Sequence, residues 1–115
     1  MEDFTNIFNA FGHEGYNFRI GAAWFQYYEL AHSHQLHNHG FGGYASALFL
    51  EYDPECHRPT TFVSPILNNF DGNVVDYDPE PVEEGHLLVF PSSLMHYAPP
   101  NTTNVRRTIL SMNIF

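Results

Sequence analysis

From Phe18 onward the chain is a succession of short aromatic and apolar stretches, each cut off by Gly, Pro or Asp-Pro. Strands tolerate such frequent interruption; packed helices do not, because each helix needs a long stripe of apolar residues at spacings of three and four. Eleven Phe, seven Tyr and one Trp favour pleated, half-buried surface. Eight Pro and eight Gly supply the turns. The pattern predicts an all-β sandwich or barrel, just long enough to close a small jelly roll. No helical pattern alternates with the strands, which excludes an α/β sheet.

Strands are predicted over Phe18 to Glu29, Tyr44 to Tyr52, Thr60 to Ser64, Val74 to Tyr77, His86 to Phe90, Met95 to Ala98 and Arg107 to Ile114. Gly40, Gly42 and Gly43 introduce the second, and Asp53-Pro54 ends it. One short helix is expected over Met1 to Phe11, where Phe4, Ile7, Phe8 and Phe11 recur at three and four, with Gly12 and Gly15 ending it. There is no internal repeat, and 115 residues point to one domain over residues 1–115.

Four basic residues against thirteen acidic ones leave a net charge of −9. Nucleic acid and anionic membrane would both be repelled. Cys56 is the single cysteine, so no internal disulfide forms. The acidic start MEDFTNIFNAF does not read as a secretory leader, and no run approaches the roughly 20 apolar residues of a membrane helix. These features lead us to expect a soluble, cytoplasmic protein. A barrel of this size has exposed sheet to cover, so a second copy of the chain is the expected partner.

Eight histidines stand out in so acidic a chain, and four of them fall between residues 32 and 39. On a strand, residues i and i+2 point to one face. His32 and His34 would then share one face and His37 and His39 the other, so only one pair can face the interior. One H-x-H alone is more often polar surface than a metal site, and a His-rich tract can be surface throughout. A second segment raises the metal reading. In EGHLLVFPSSLMH, from Glu84 to His96, Gly85 allows a tight turn, a buried-type strand ends at Pro91, and His96 follows on the next strand. An antiparallel neighbour can bring His96 against an H-x-H, giving three imidazoles with open positions for substrate, a set suited to iron, zinc, copper or nickel. His13, His57 and His86 have no such company and read as structural. Arg106 and Arg107 are half of all the basic residues and form a candidate anion contact.

Taken in order, these residues resemble the iron(II)- and 2-oxoglutarate-dependent oxygenases, and within them a group of short oxygenases of marine bacteria and phages. The resemblance rests on Trp24 thirteen residues before His37-Asn38-His39, the strand Tyr44 to Leu50, Glu84-Gly85-His86, Phe90-Pro91-Ser92, His96, and Arg107 through Asn113, and covers about residues 22 to 115. It implies a double-stranded β-helix, a jelly-roll barrel related to the cupins. The Trp24 spacing selects His37 and His39 over His32 and His34, with His96 as the third ligand of Fe(II). Arg107 would hold the distal carboxylate of the cosubstrate 2-oxoglutarate, since a guanidinium fork matches a carboxylate. A one-residue shift in register would hand that role to Arg106. Gln26, on the face of Trp24, could bond the cosubstrate. Trp24, Tyr27, Tyr44 and Phe62 are candidates for the pocket wall, although core packing accounts for most such residues.

Two departures stand out. Most of that superfamily uses H-x-D or H-x-E, whereas His39 occupies the carboxylate position here. A three-histidine site leaves the full charge on the metal, which keeps two other classes open: a cupin-like metal- or ligand-binding protein, and a three-histidine metalloenzyme that does not use 2-oxoglutarate. A barrel with surface histidines and no metal is the plainest alternative. The chain is also short beside typical members, which carry N-terminal elements that shape the substrate pocket, so the sequence does not disclose the substrate.

Overall fold

The computed structural model describes residues 2–79 and 81–115, with backbone alone at residues 2 and 3. The predicted helix is α1, Glu2–Ala10; Met1 lies outside the described residues. It ends one residue short of Phe11 because Gly12 turns left-handed at φ +86°. The Gly12 N–H bonds the Asn9 carbonyl at 3.0 Å and the His13 N–H bonds the Phe8 carbonyl at 2.9 Å, the paired bonds of a Schellman stop. Phe8 anchors the helix, packing on Phe18 at 4.9 Å and Tyr44 at 5.1 Å between ring centroids.

Eight strands follow: β1 Ile20–Tyr28, β2 His34–His37, β3 Tyr44–Glu51, β4 Thr61–Val63, β5 Asp76–Tyr77, β6 Leu87–Pro91, β7 His96–Ala98 and β8 Arg107–Ile114. Every predicted strand is present, most with ends moved by a residue or two. Val74 to Tyr77 halves, to two residues, and the polar stretch before His39 contributes an eighth strand, β2.

The strands form two four-stranded sheets, ordered β1-β8-β3-β6 and β2-β7-β4-β5. All pairings are antiparallel. The chain alternates between the sheets at almost every connection; only β4 and β5 follow one another within a sheet. That wiring is a jelly roll, the double-stranded β-helix. Among the described residues no ladder joins the two sheets, so the barrel stays open along its edges.

The core lies between the sheets. Tyr28, Ala47, Phe49 and Ile109 from the first sheet meet Ala98 from the second, together with Tyr52 and Val82. Nearer the other end, Ala45 and Phe90 meet Phe62. Alternation along β8 sends Arg107, Ile109 and Ser111 inward, because Ile109 sits opposite Phe49 and Ser111 opposite Ala47. Gly43, at φ +82°, brings the start of β3 hard against β8: a Cβ there would drive into the Ile114 carbonyl oxygen.

Candidate metal centre

β2 and β7 build the centre through an irregular ladder. His37 pairs with His96 and His34 with Ala98, so three steps along β2 match two along β7. This is a β-bulge, which breaks strand alternation. Gln35 and Leu36 are exposed, and His34 and His37 land on the same side with their rings stacked at 4.1 Å. The predicted division into two exclusive pairs therefore fails at His34, which joins the inner cluster. His32 turns outward, and its Nδ1 accepts the Glu29 N–H at 3.1 Å.

His39 lies past the end of β2, held by its N–H to the Ser92 carbonyl at 2.8 Å. One ligand atom from each of His37, His39 and His96 lies within 4.8 Å of the others. The Nε2 atoms of His39 and His96 are 3.3 Å apart. Nδ1 of His37 meets the Gln35 carbonyl at 2.7 Å, and Nδ1 of His96 meets the Leu94 carbonyl at 2.9 Å. A carbonyl only accepts, so each Nδ1 carries the proton and each Nε2 keeps its lone pair for a metal. Burial lowers the His96 pKa to about 4, opposed by the Leu94 carbonyl. Burial, then the neighbouring His37, also lowers the pKa of His39 and of His34. These three imidazoles are neutral near pH 7, the form that ligates. Trp24 lies beside His39, centroids 5.9 Å apart, which gives the thirteen-residue spacing a physical meaning.

Further into the barrel stands Arg107, 2% exposed. Its guanidinium lies over the rings of Tyr28 at 4.8 Å and Phe49 at 5.5 Å. Nε, Nη1 and Nη2 have no hydrogen-bond partner among the described residues. Burial lowers its pKa, partly offset by Tyr28 and Tyr52. A buried guanidinium without an acceptor is costly and calls for an anion. Arg106 points the other way, its Nε donating to Glu51 Oε1 at 2.9 Å, so the shifted register is not the one adopted.

Gln26 faces the same interior, but its polar atoms are engaged. Its Nε2 donates to His34 Nδ1 at 2.9 Å, and its Oε1 accepts from Ser111 Oγ at 3.2 Å. Together with the histidines, Tyr28, Ile109 and Ser111, it lines a pocket with about 20 Å³ of free space, roughly the room of one water. Phe62 backs His96 at 6.1 Å. Tyr27 lies on the outer face and 54% exposed, and Tyr44 lines a separate aromatic cavity beside α1. The sequence reading missed His34, Tyr28 and Ser111 as parts of this pocket. Two of them were within reach: Tyr28 repeats the two-residue step of Trp24 and Gln26, and Ser111 the step from Arg107. His13, His57 and His86 are structural, as expected. His13 bonds the Tyr44 hydroxyl at 2.7 Å. His57 joins the Asp53 N–H to the Val105 carbonyl, and His86 accepts from the Glu83 N–H.

The donor set fits a first-row metal: three imidazoles converge, those of His37 and His96 with tautomers fixed, and among the described residues no carboxylate belongs to the group. The orphaned Arg107 nitrogens fit an acidic cosubstrate. No helix among the described residues is long and apolar enough to cross a membrane.

No curated protein matches the chain. Among solved structures, a Pseudomonas putida prolyl-4-hydroxylase aligns with a TM-score of 0.62 at 22% identity, over 98% of this chain and 60% of that one. The likeness is one of fold, and the chain spans less than two thirds of that enzyme. A Neisseria meningitidis protein aligns over 96% of both chains at 15% identity, with a TM-score of 0.44. The profile of one protein family, described as "Putative 2OG-Fe(II) oxygenase", matches residues 22–113. That match takes in both sheets, all three clustered histidines and the buried arginine, and so the chain belongs to this oxygenase family, whose metal is Fe(II) and whose cosubstrate is 2-oxoglutarate.

Proposed function

We propose that the chain hydroxylates a C–H bond of its substrate, with His37, His39 and His96 holding Fe(II) and Arg107 receiving the distal carboxylate of 2-oxoglutarate. The observation that carries this reading is the buried guanidinium with three unpartnered nitrogens in the same barrel as three converging imidazoles. When bound, the iron and its cosubstrate supply the oxidising chemistry, turning 2-oxoglutarate and oxygen into succinate, carbon dioxide and a hydroxylated product. The chain's own residues bind and orient. Gln35 and Leu94 carbonyls hold the Nδ1 protons of His37 and His96, which keeps each Nε2 aimed inward. Tyr28 and Phe49 fix the plane of Arg107 and keep water from it. That low-dielectric setting strengthens a charge-assisted pair with a carboxylate.

Metal content and Fe(II)-dependent succinate formation from 2-oxoglutarate test this directly. Wild type should bind one metal and release succinate; His96→Ala should lose the metal, and Arg107→Ala should keep the metal and lose 2-oxoglutarate binding. Metal bound without 2-oxoglutarate affinity in wild type would overturn the reading. It would favour a cupin-like binding protein or an enzyme using another substrate anion, for which the all-imidazole donor set is the specific argument.

A further inference from the structure

Two cavities meet at one hydrogen bond. The inner one is the pocket of about 20 Å³ that holds the clustered histidines. The outer one, about 290 Å³, is lined by Gln26, Tyr27, Tyr28, His32, Ser33 and His34. Gln26, Tyr28 and His34 line both, so they form the partition. The bond from Gln26 Nε2 to His34 Nδ1 closes it at 2.9 Å. Ser111 Oγ holds the other end of the Gln26 amide, and the His37 ring backs His34 at 4.1 Å. The partition is therefore latched from both sides.

The inner space is too small for a dicarboxylate of several times a water's volume. Yet Arg107 lies beyond it, pairing with Tyr28 across the β1–β8 ladder. Tyr28, which Arg107 pairs with, lines both cavities, and an anion moving from the outer cavity into the inner one has to part Gln26 from His34, whose hydrogen bond closes the partition. One side-chain hydrogen bond is a weak barrier, because its donor and acceptor can be met by an incoming polar ligand as well as by each other.

We propose that Gln26 and His34 form the gate through which the acidic cosubstrate enters, closing again behind it. This inference rests on the functional reading above, which supplies the dicarboxylate.

The chain carries its own reporter, since its single Trp, Trp24, sits 5.9 Å from His39. Stopped-flow Trp24 fluorescence with Mn(II)-loaded protein would follow 2-oxoglutarate association and dissociation. Gln26→Ala opens the gate and should raise both rates, association by about tenfold, while the equilibrium constant changes much less. Ser33→Leu fills the outer cavity from an exposed position that is not one of the three clustered ligands, leaves Trp24 as the single Trp, and should slow association about tenfold with Mn(II) affinity unchanged. Wild-type rates in both variants would overturn the gate and place entry elsewhere on the barrel. A fall in affinity with unaltered association in Gln26→Ala would also overturn it, leaving Gln26 as an ordinary contact. If wild type binds Mn(II) but no 2-oxoglutarate, the functional reading fails instead, and the gate loses its cargo with it.

Discussion

The two sheets do different work. In the first, β1, β3 and β8 run for eight or nine residues, and the β3–β6 ladder is unbroken in register. In the second, no strand exceeds four residues and the ladder carrying the histidines is bulged. The long sheet carries the proposed anion anchor inside a regular strand, where alternation fixes which way Arg107 points. The short sheet carries the proposed metal ligands His37 and His96 on a ladder whose alternation fails beside them, between His34 and His37. The bulge brings His34 to the side of His37, where a regular strand would send it away. Regularity positions one charge; irregularity adds a further imidazole beside the clustered three.

Four measurements would break or sharpen that contrast. The largest effect is expected on the short sheet: His37→Ala should weaken metal binding by about a hundredfold or more, whereas His32→Ala, outside the bulge, should leave a metal titration unchanged. Equal losses in both would mean that the bulged register is not the one used in solution. On the long sheet, Arg107→Met should cost about 2–5 kcal/mol of 2-oxoglutarate binding. In the ligand-free protein it should raise stability by about 1–4 kcal/mol in denaturant melts, because a buried unpaired charge is replaced by an apolar chain. A destabilised Arg107→Met would show that the guanidinium has an acceptor after all.

The third test is pH. His96 has a folded pKa of about 4 against an ordinary value of 6.5. Above pH 6.5 both folded and unfolded states hold it neutral, and it adds no pH dependence. Between 6.5 and 4 the unfolded chain takes up a proton that the folded one refuses, so stability falls as pH falls, by on the order of 3 kcal/mol in all. Urea melts of metal-free protein across that window should show the fall, and His96→Phe should flatten it. The smallest effect belongs to the surface of the long sheet. Glu51 accepts from Arg106 and Thr108, but it is solvent-exposed. Glu51→Gln should leave the melting temperature within error, and a clear drop would promote this pair to part of the scaffold.

The legible parts of the sequence divide along the same line. β8 was readable to the residue, because Arg107, Ile109 and Ser111 alternate cleanly with outward neighbours. The all-β architecture of short strands followed from punctuation by Gly and Pro, and the jelly roll from the family resemblance. Choosing between Arg106 and Arg107 needed the structure, since both phases are consistent with the alternation and only Glu51 on the adjoining strand decides. The bulge was hidden for a deeper reason. His32 to His39 offers histidines at several spacings, and the register that wins is set by β7, a partner 57 positions away from His39 at His96. Local pattern does not carry that information. Gln26 was identified as a residue facing the site, but its bond to His34 depends on the same bulge and could not be foreseen.

The distance between partners has a consequence during synthesis. Gln26 and Ser111 touch although 85 positions separate them, and β1 ladders only with β8. A growing chain therefore carries β1 with both edges bare until the last strand has emerged, with aromatic residues Phe25 and Tyr27 on one face. Contacts this far apart fold slowly, on a scale of milliseconds to seconds, and a bare apolar strand is open to pairing with a neighbour meanwhile. The nascent protein is thus most vulnerable to misassociation just before β8 emerges, and closure of the β1–β8 ladder marks the moment when that exposure ends.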